Sequence, residues 1–206
     1  MSNHLNTKSL LIFRLGSVGD TVVALPCFRL IKKAFPDAER SVLTNIPVNN
    51  KACALELLLQ KTGLVDRYIE YPSKSHLLKK IFSLRSIIKK NHFDVMIYFH
   101  QNRHFFQVWR DFLFFKFCGI KKIIGLPLFQ HGFQYKYDSK TKLYESEHRR
   151  LARQLRVLGE INWSDLNLLN LHLTSQEIET ARAAIAELIN KPFMVCSICT
   201  KLAMKD

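Results

Sequence analysis

Acidic side chains are scarce in this chain of 206 residues: 17 Asp and Glu stand against 31 Lys and Arg, for a formal net charge of +14. That imbalance favours an anionic partner, whether nucleic acid, an anionic membrane face or a phosphorylated substrate. Long apolar runs are also missing. Stretches such as 10–13 and 112–115 are far short of the ~18 residues a spanning helix needs, which excludes a transmembrane segment of that kind. The amino terminus has only a brief apolar stretch closed by Arg14 and no small-residue cleavage site, so a secretory signal is not expected. The five cysteines (Cys27, Cys53, Cys118, Cys196, Cys199) are odd in number and scattered, unlike a disulfide framework, which makes the cytoplasm the default location. No internal repeat or low-complexity segment is present.

What is there is an ordinary globular composition, 48% hydrophobic and 23% charged, on a chain long enough to bury a sizeable core. Short apolar runs alternate with longer amphipathic ones, which predicts βαβ units: an α/β, Rossmann-like parallel sheet with helices on both faces. Strands are expected at 9–15, 40–46, 66–71, 93–99 and 122–126. Helices are expected at 20–35, 50–62, 75–91, 103–118 and 144–158, with an aperiodic loop over 127–143. The first helix should stop at Phe35, because a residue that precedes a proline is pushed out of the α region. A further helix is expected over 175–190, with Ser175 as N-cap and Ile178 near the third helical position. A last strand at 192–198 reads as the opening of another unit, giving one domain over 1–190 and the beginning of a second over 191–206.

The segment most informative about chemistry is 10–26, LLIFRLGSVGDTVVALP. A strand that feeds a glycine turn and then a helix places free backbone N–H groups beside the carboxyl edge of a sheet, where α/β proteins bind ligands. Gly16-x-x-Gly19 lacks the third glycine of a dinucleotide fingerprint, and no Gly-Lys-Ser/Thr of a phosphate loop follows. A carboxylate, Asp20, stands there instead. It suits two compatible roles: N-cap of the helix, or general base at the mouth of a cleft, removing a proton from an incoming hydroxyl.

The block R-L-G-S-V-G-D-T-V-V-A-L-P, with a helix ending in A-F-P-D-A, resembles the amino-terminal signature of the bacterial ADP-heptose:lipopolysaccharide heptosyltransferases, glycosyltransferase family 9. The resemblance extends through Lys121-Lys122-Ile123-Ile124-Gly125-Leu126 and through His148-Arg149-Arg150 to Gly159, and CSICTKLAMKD at 196–206 looks like the segment that opens the nucleotide-sugar half. It implies the acceptor-side half of a GT-B enzyme that transfers heptose with inversion, works without a metal or other cofactor, and resides in the cytoplasm, peripheral on the inner membrane. Asp20 matches the catalytic aspartate; Gly16, Ser17 and Gly19 would meet substrate. Thr200 and Lys205 match residues that meet the growing charge of the ADP diphosphate. Cys199 stands where the family has glycine, and the donor half is absent. The chain as given is therefore expected to be a fragment, inactive in transfer on its own.

The implied partners are an ADP-sugar donor, held by a second domain, a phosphorylated lipopolysaccharide core acceptor and an anionic membrane surface. Arg103, Lys121, Lys122, Arg149 and Arg150 are candidates for acceptor phosphates, because they fall near expected strand ends or helix starts. Residues 73–93 hold Lys74, Lys79, Lys80, Arg85, Lys89 and Lys90 and no acid, with Leu77, Ile81, Leu84 and Ile88 on one helical stripe. This predicts a helix packed on the sheet with a charged outer face, compatible with an electrostatic dock for anionic lipid. Phe105, Phe106, Trp109, Phe112, Leu113 and Phe117, at i, i+3/i+4 spacing, predict the buried face of a core helix. No recognisable nucleic-acid module accompanies the positive charge. His100 and His104 lack the glutamate of a zinc-hydrolase helix, and Cys196-x-x-Cys199 has no second pair, so no metal site is expected. No Gly-x-Ser-x-Gly elbow is present. The competing class is a non-catalytic basic α/β module that binds an anionic lipid, glycan or protein.

Overall fold

The computed structural model describes residues 7–45, 55–71, 77–100, 104–126 and 134–188, with Pro192 and Met194; residues 77–80 are described by backbone alone. Five strands, β1 (Ser9–Phe13), β2 (Glu39–Asn45), β3 (Arg67–Tyr71), β4 (Val95–Tyr98) and β5 (Lys122–Ile124), form one sheet in the order β3-β2-β1-β4-β5. Every pairing is parallel. Between them run α1 (Val18–Ala34), α2 (Leu55–Leu59), α3 (Leu77–Asn91) and α4 (Phe105–Phe117). This is the Rossmann-like α/β arrangement expected from the sequence, with strand and helix ends shifted by a few residues. Its strand order reverses between β1 and β4, and ligands of such sheets bind outside the carboxyl ends of the strands at that reversal.

The strands read as continuous apolar runs because both faces of the sheet are covered. In β1, Leu10 and Ile12 turn to a core shared with Leu25, Phe28 and Ile31 of α1 and with Leu55 and Leu59 of α2. Leu11 and Phe13 turn to the other core, with Leu84 and Ile88 of α3 and Phe115 of α4. The inward stripe expected of the basic helix is present at Leu84 and Ile88, with Ile81 half-buried. Helix α1 ends at Ala34 with Phe35 as C-cap, its N–H donating to the Ile31 carbonyl, just before Pro36.

The aromatic helix is turned the other way from the sequence expectation. The buried side of α4 is Val108, Asp111 and Phe115, continued by Cys118. Phe105, Phe106, Leu113 and Phe117 are exposed, and Trp109 and Phe112 are half-buried. Two contacts account for this orientation: the Tyr98 hydroxyl donates to Asp111 Oδ2 at 3.0 Å, and Phe115 packs edge-on to Phe13 at 5.2 Å.

Beyond β5, the region expected to be an aperiodic loop contains an antiparallel hairpin, β6 (Tyr137–Asp138) with β7 (Leu143–Tyr144). The expected helix over 144–158 is shorter: α5 (Glu147–Gln154), then a 3₁₀ turn at Arg156–Leu158 that reaches Gly159. A second 3₁₀ turn, Leu166–Leu169, was not foreseen. Helix α6 (Ser175–Ala184) is capped by Thr174, not Ser175, and Glu177, not Ile178, occupies its third position. Thr174 and Glu177 form a capping box, which satisfies orphan N–H groups reciprocally. The expected strand at 192–198 lies outside the described residues apart from Pro192 and Met194.

Gly125, just after β5, has φ +82, and a Cβ there would lie 2.4 Å from the Tyr98 carbonyl oxygen and 2.8 Å from Leu155 Cδ2. Gly125→Ala is expected to cost about 2–4 kcal/mol through strain and overlap. Thermal unfolding followed by circular dichroism should show a Tm lowered by roughly 4–16 °C. Gly19→Ala, where nothing lies within 4 Å of the new methyl, should leave Tm unchanged or slightly raised.

Candidate active site

At the carboxyl end of β1 the chain turns through Gly16 and enters α1. Ser17, not Asp20, is the N-cap; Asp20 is the third helical residue. Its Oδ2 accepts from the Ser17 amide at 2.6 Å and from the Ser17 hydroxyl at 2.8 Å. The carboxylate folds back over Gly16, where an added Cβ would lie 2.7 Å from that of Asp20, so only glycine fits beneath it. The Gly16 N–H donates to Asn45 Oδ1 at the end of β2, which ties the turn to the neighbouring strand. Asp20 is half-exposed at this edge.

Beneath Asp20 lies a buried charge cluster that sequence reasoning missed. Arg14, directly after β1, is fully buried, and its Nη2 donates to the Asp20 carbonyl at 2.7 Å. Arg150 of α5 is also fully buried. Its Nε and Nη2 reach the Glu147 carboxylate at 2.6 and 2.8 Å, and Nη2 also reaches the carbonyl of His100, just past β4. Burial depresses the Arg14 pKa while Asp20 and Glu147 support its charge; for Arg150 burial is again the largest single effect, but the hydrogen bonds and charges of Glu147 and Tyr135 together exceed it and raise the pKa. Among the described residues, Arg14 Nε and Nη1 and Arg150 Nη1 have no hydrogen-bond partner. Tyr135 donates its hydroxyl to Glu147 at 2.9 Å; burial and that bond raise its pKa. Cys27, sealed nearby, is pushed up to about 12 by burial, which keeps it a thiol and unreactive.

On the outer side of α5 an open groove of about 1090 Å³ runs between that helix and the β6–β7 hairpin. Lys136, Arg149, Arg153 and Arg156 line it together with Tyr137, Tyr144 and Trp163, and with the acids Asp138, Glu145 and Glu160. Arg149 stands 5.8 Å from the centroid of the Trp163 ring, and Arg153 pairs with Glu145. Cations beside aromatic rings suit a phosphorylated or otherwise anionic sugar.

The sequence candidates therefore divide. Gly16, Ser17, Gly19 and Asp20 come together at the β1–α1 turn, and Arg149 faces the groove. Arg150 does not face solvent: it is sealed in the charge cluster, which removes it as a direct contact for an acceptor phosphate. Lys121 and Lys122 also fall away. In the parallel register Lys122 lies level with Val95, at the amino end of the sheet, whereas Asp20 follows the carboxyl end. Arg103, Thr200 and Lys205 lie outside the described residues. Among the described residues no group of three His, Cys, Asp or Glu is placed to hold a metal ion.

The fold is that of a Rossmann-like α/β protein, with Asp20 just past the carboxyl end of β1, beside the strand-order reversal. Among solved structures, the chain is similar to a glycosyl transferase family 9 protein from Veillonella parvula DSM 2008, with a TM-score of 0.56 and 16% sequence identity over 91% of this chain and 51% of that one. The likeness is one of fold, and this chain spans about half the length of that protein. No family model matches the chain, and no curated protein matches it significantly.

Removing the Glu147 carboxylate would leave the buried Arg150 guanidinium without its carboxylate partner. Glu147→Ala is expected to cost about 3–5 kcal/mol in denaturant unfolding. Glu39→Ala, which removes an exposed pair with Arg67 at 3.4 Å, should cost about 1 kcal/mol or less.

Proposed function

We propose that this chain is the acceptor-side half of an inverting glycosyltransferase that moves heptose from ADP-heptose to a phosphorylated lipopolysaccharide core. The observation that carries the reading is the half-exposed Asp20 carboxylate, held by Ser17 at the carboxyl edge of β1 where the strand order reverses. The fold shared with a glycosyl transferase family 9 protein supports it, as do the sequence blocks that resemble the heptosyltransferases. In this reading, Asp20 takes the proton of the acceptor hydroxyl. The freed oxygen bonds to the anomeric carbon from the face opposite the donor bond, the bond to the ADP oxygen breaks, and ADP leaves with its electron pair. Gly16, Ser17 and Gly19 border the attacking hydroxyl.

The donor half of such an enzyme supplies the adenosine pocket. Thr200 and Lys205 are assigned to the diphosphate, and residues 191–206 to the beginning of that half. The groove along α5, with Arg149, Arg153 and Trp163, holds the acceptor's anionic sugars. An acceptor of this class is embedded in a membrane, which places the enzyme at the cytoplasmic, anionic face of that membrane.

In a chain that carries a donor half, Asp20→Asn should lower kcat by about 10²–10⁴-fold, because the amide keeps the capping acceptor and loses the base. Acceptor affinity should hold within about twofold. Equal loss of turnover and binding, read by transfer assay and by calorimetry with the core oligosaccharide, would reduce Asp20 to a helix cap. Arg149→Ala should instead weaken acceptor binding by about 10-fold or more with kcat little changed.

A further inference from the structure

Helix α4 is amphipathic with its faces exchanged. A surface helix ordinarily turns its apolar stripe to the core and its polar side to water. Here the inward side includes a carboxylate, Asp111, while Phe106 (84% exposed), Leu113 (61%) and Phe117 (61%) stand on the outward side, flanked by Trp109 and Phe105. Phe82 on α3 (64% exposed) extends the apolar surface. Arg85, one turn beyond Phe82, stacks 4.2 Å from the Phe117 ring centroid and joins the two helices into one face.

The charge around this face has one sign. From 77 to 93 the chain carries Lys79, Lys80, Arg85, Lys89 and Lys90 and no acid. Around α4 lie Lys116, Lys121 and Lys122, and the one acid of that helix, Asp111, is buried against Tyr98 and takes up the charge of Arg110, with which it pairs at 2.8 Å. Lys121 and Lys122, which the register removes from the catalytic edge, thus adjoin this basic region. A second copy of the chain would bring like charges together, whereas an anionic bilayer accepts both aromatics and cations.

We propose that the outward face of α4, with the adjoining side of α3, rests on an anionic lipid bilayer. Phe106, Trp109, Leu113 and Phe117 enter the interface of headgroups and acyl chains, and the flanking Lys and Arg meet lipid phosphates. An exposed apolar surface rimmed by charge is the physical mark of such a contact. The inference rests on the membrane location of the proposed function and names the surface that makes the contact; its test involves neither Asp20 nor the α5 groove.

The test uses the chain as it stands, with vesicles of phosphatidylcholine alone or enriched in phosphatidylglycerol. Sedimentation should show binding at least about tenfold tighter to the anionic vesicles, weakening as salt rises from about 0.1 M to about 1 M and the screening length falls from ~10 to ~3 Å. With Trp163→Phe, Trp109 becomes the one indole reporter, and brominated lipids should quench it. The triple variant Phe106→Ser, Leu113→Ser, Phe117→Ser, checked for an unchanged circular dichroism spectrum, should lose at least about tenfold in partitioning. Equal binding by the triple variant, or no quenching of Trp109, would overturn the proposal. So would an absence of vesicle binding, including the case in which light scattering finds a dimer that the triple variant abolishes. None of these outcomes bears on sugar transfer, which is read separately with Asp20→Asn.

Discussion

The Glu147 carboxylate, shared between the buried guanidinium of Arg150 and the hydroxyl of Tyr135, is the interaction on which the candidate catalytic edge depends. It brings α5 against the ends of β1 and β4, because Arg150 also holds the His100 carbonyl. Arg14, beside it, holds the Asp20 carbonyl. Two positive charges in a dry interior repel each other and each resists burial; Glu147 offsets Arg150 directly, and Asp20 together with Glu147 offsets Arg14. The backbone around Asp20 is therefore fixed from below by charges, and from the side by Asn45.

That foundation explains why the turn can carry a carboxylate near its surface. Helix α1 begins with a partial positive charge at its N–H groups, which favours an anion at its third position. Arg14 adds a full positive charge beneath. Ser17 holds the Asp20 carboxylate in one place. A base that serves a hydroxyl needs both a fixed position and access from outside, and half-exposure at a sheet edge gives it access.

Much of the sheet was legible in the residues. Runs such as SLLIF and VMIY are apolar throughout because helices cover both faces, and Pro36 marks the end of α1. The caps were legible too: Ser17-x-x-Asp20 and Thr174-x-x-Glu177 are each a cap paired with an acid three residues on. The amino-edge position of Lys121 and Lys122 follows from their preceding a parallel strand. Other features had no local signal. Arg14 and Arg150 are far apart in sequence and meet only in the folded chain. The orientation of α4 was ambiguous from spacing, since Val108 and Phe115 form one apolar stripe and Phe106, Leu113 and Phe117 another. The polar pair of Asp111 and Tyr98 chose between them.

The same pair has a consequence for how the protein behaves in water. Rolling α4 about its axis to hide its rings would tear Asp111 from Tyr98 and carry a carboxylate through the apolar layer that contains Phe13 and Phe115. The native fold itself therefore keeps an adhesive surface on display. Such a molecule owes its colloidal behaviour to mutual repulsion among its cations: salt that screens this repulsion promotes clumping of fully folded chains, and a mild amphiphile that coats the rings prevents it.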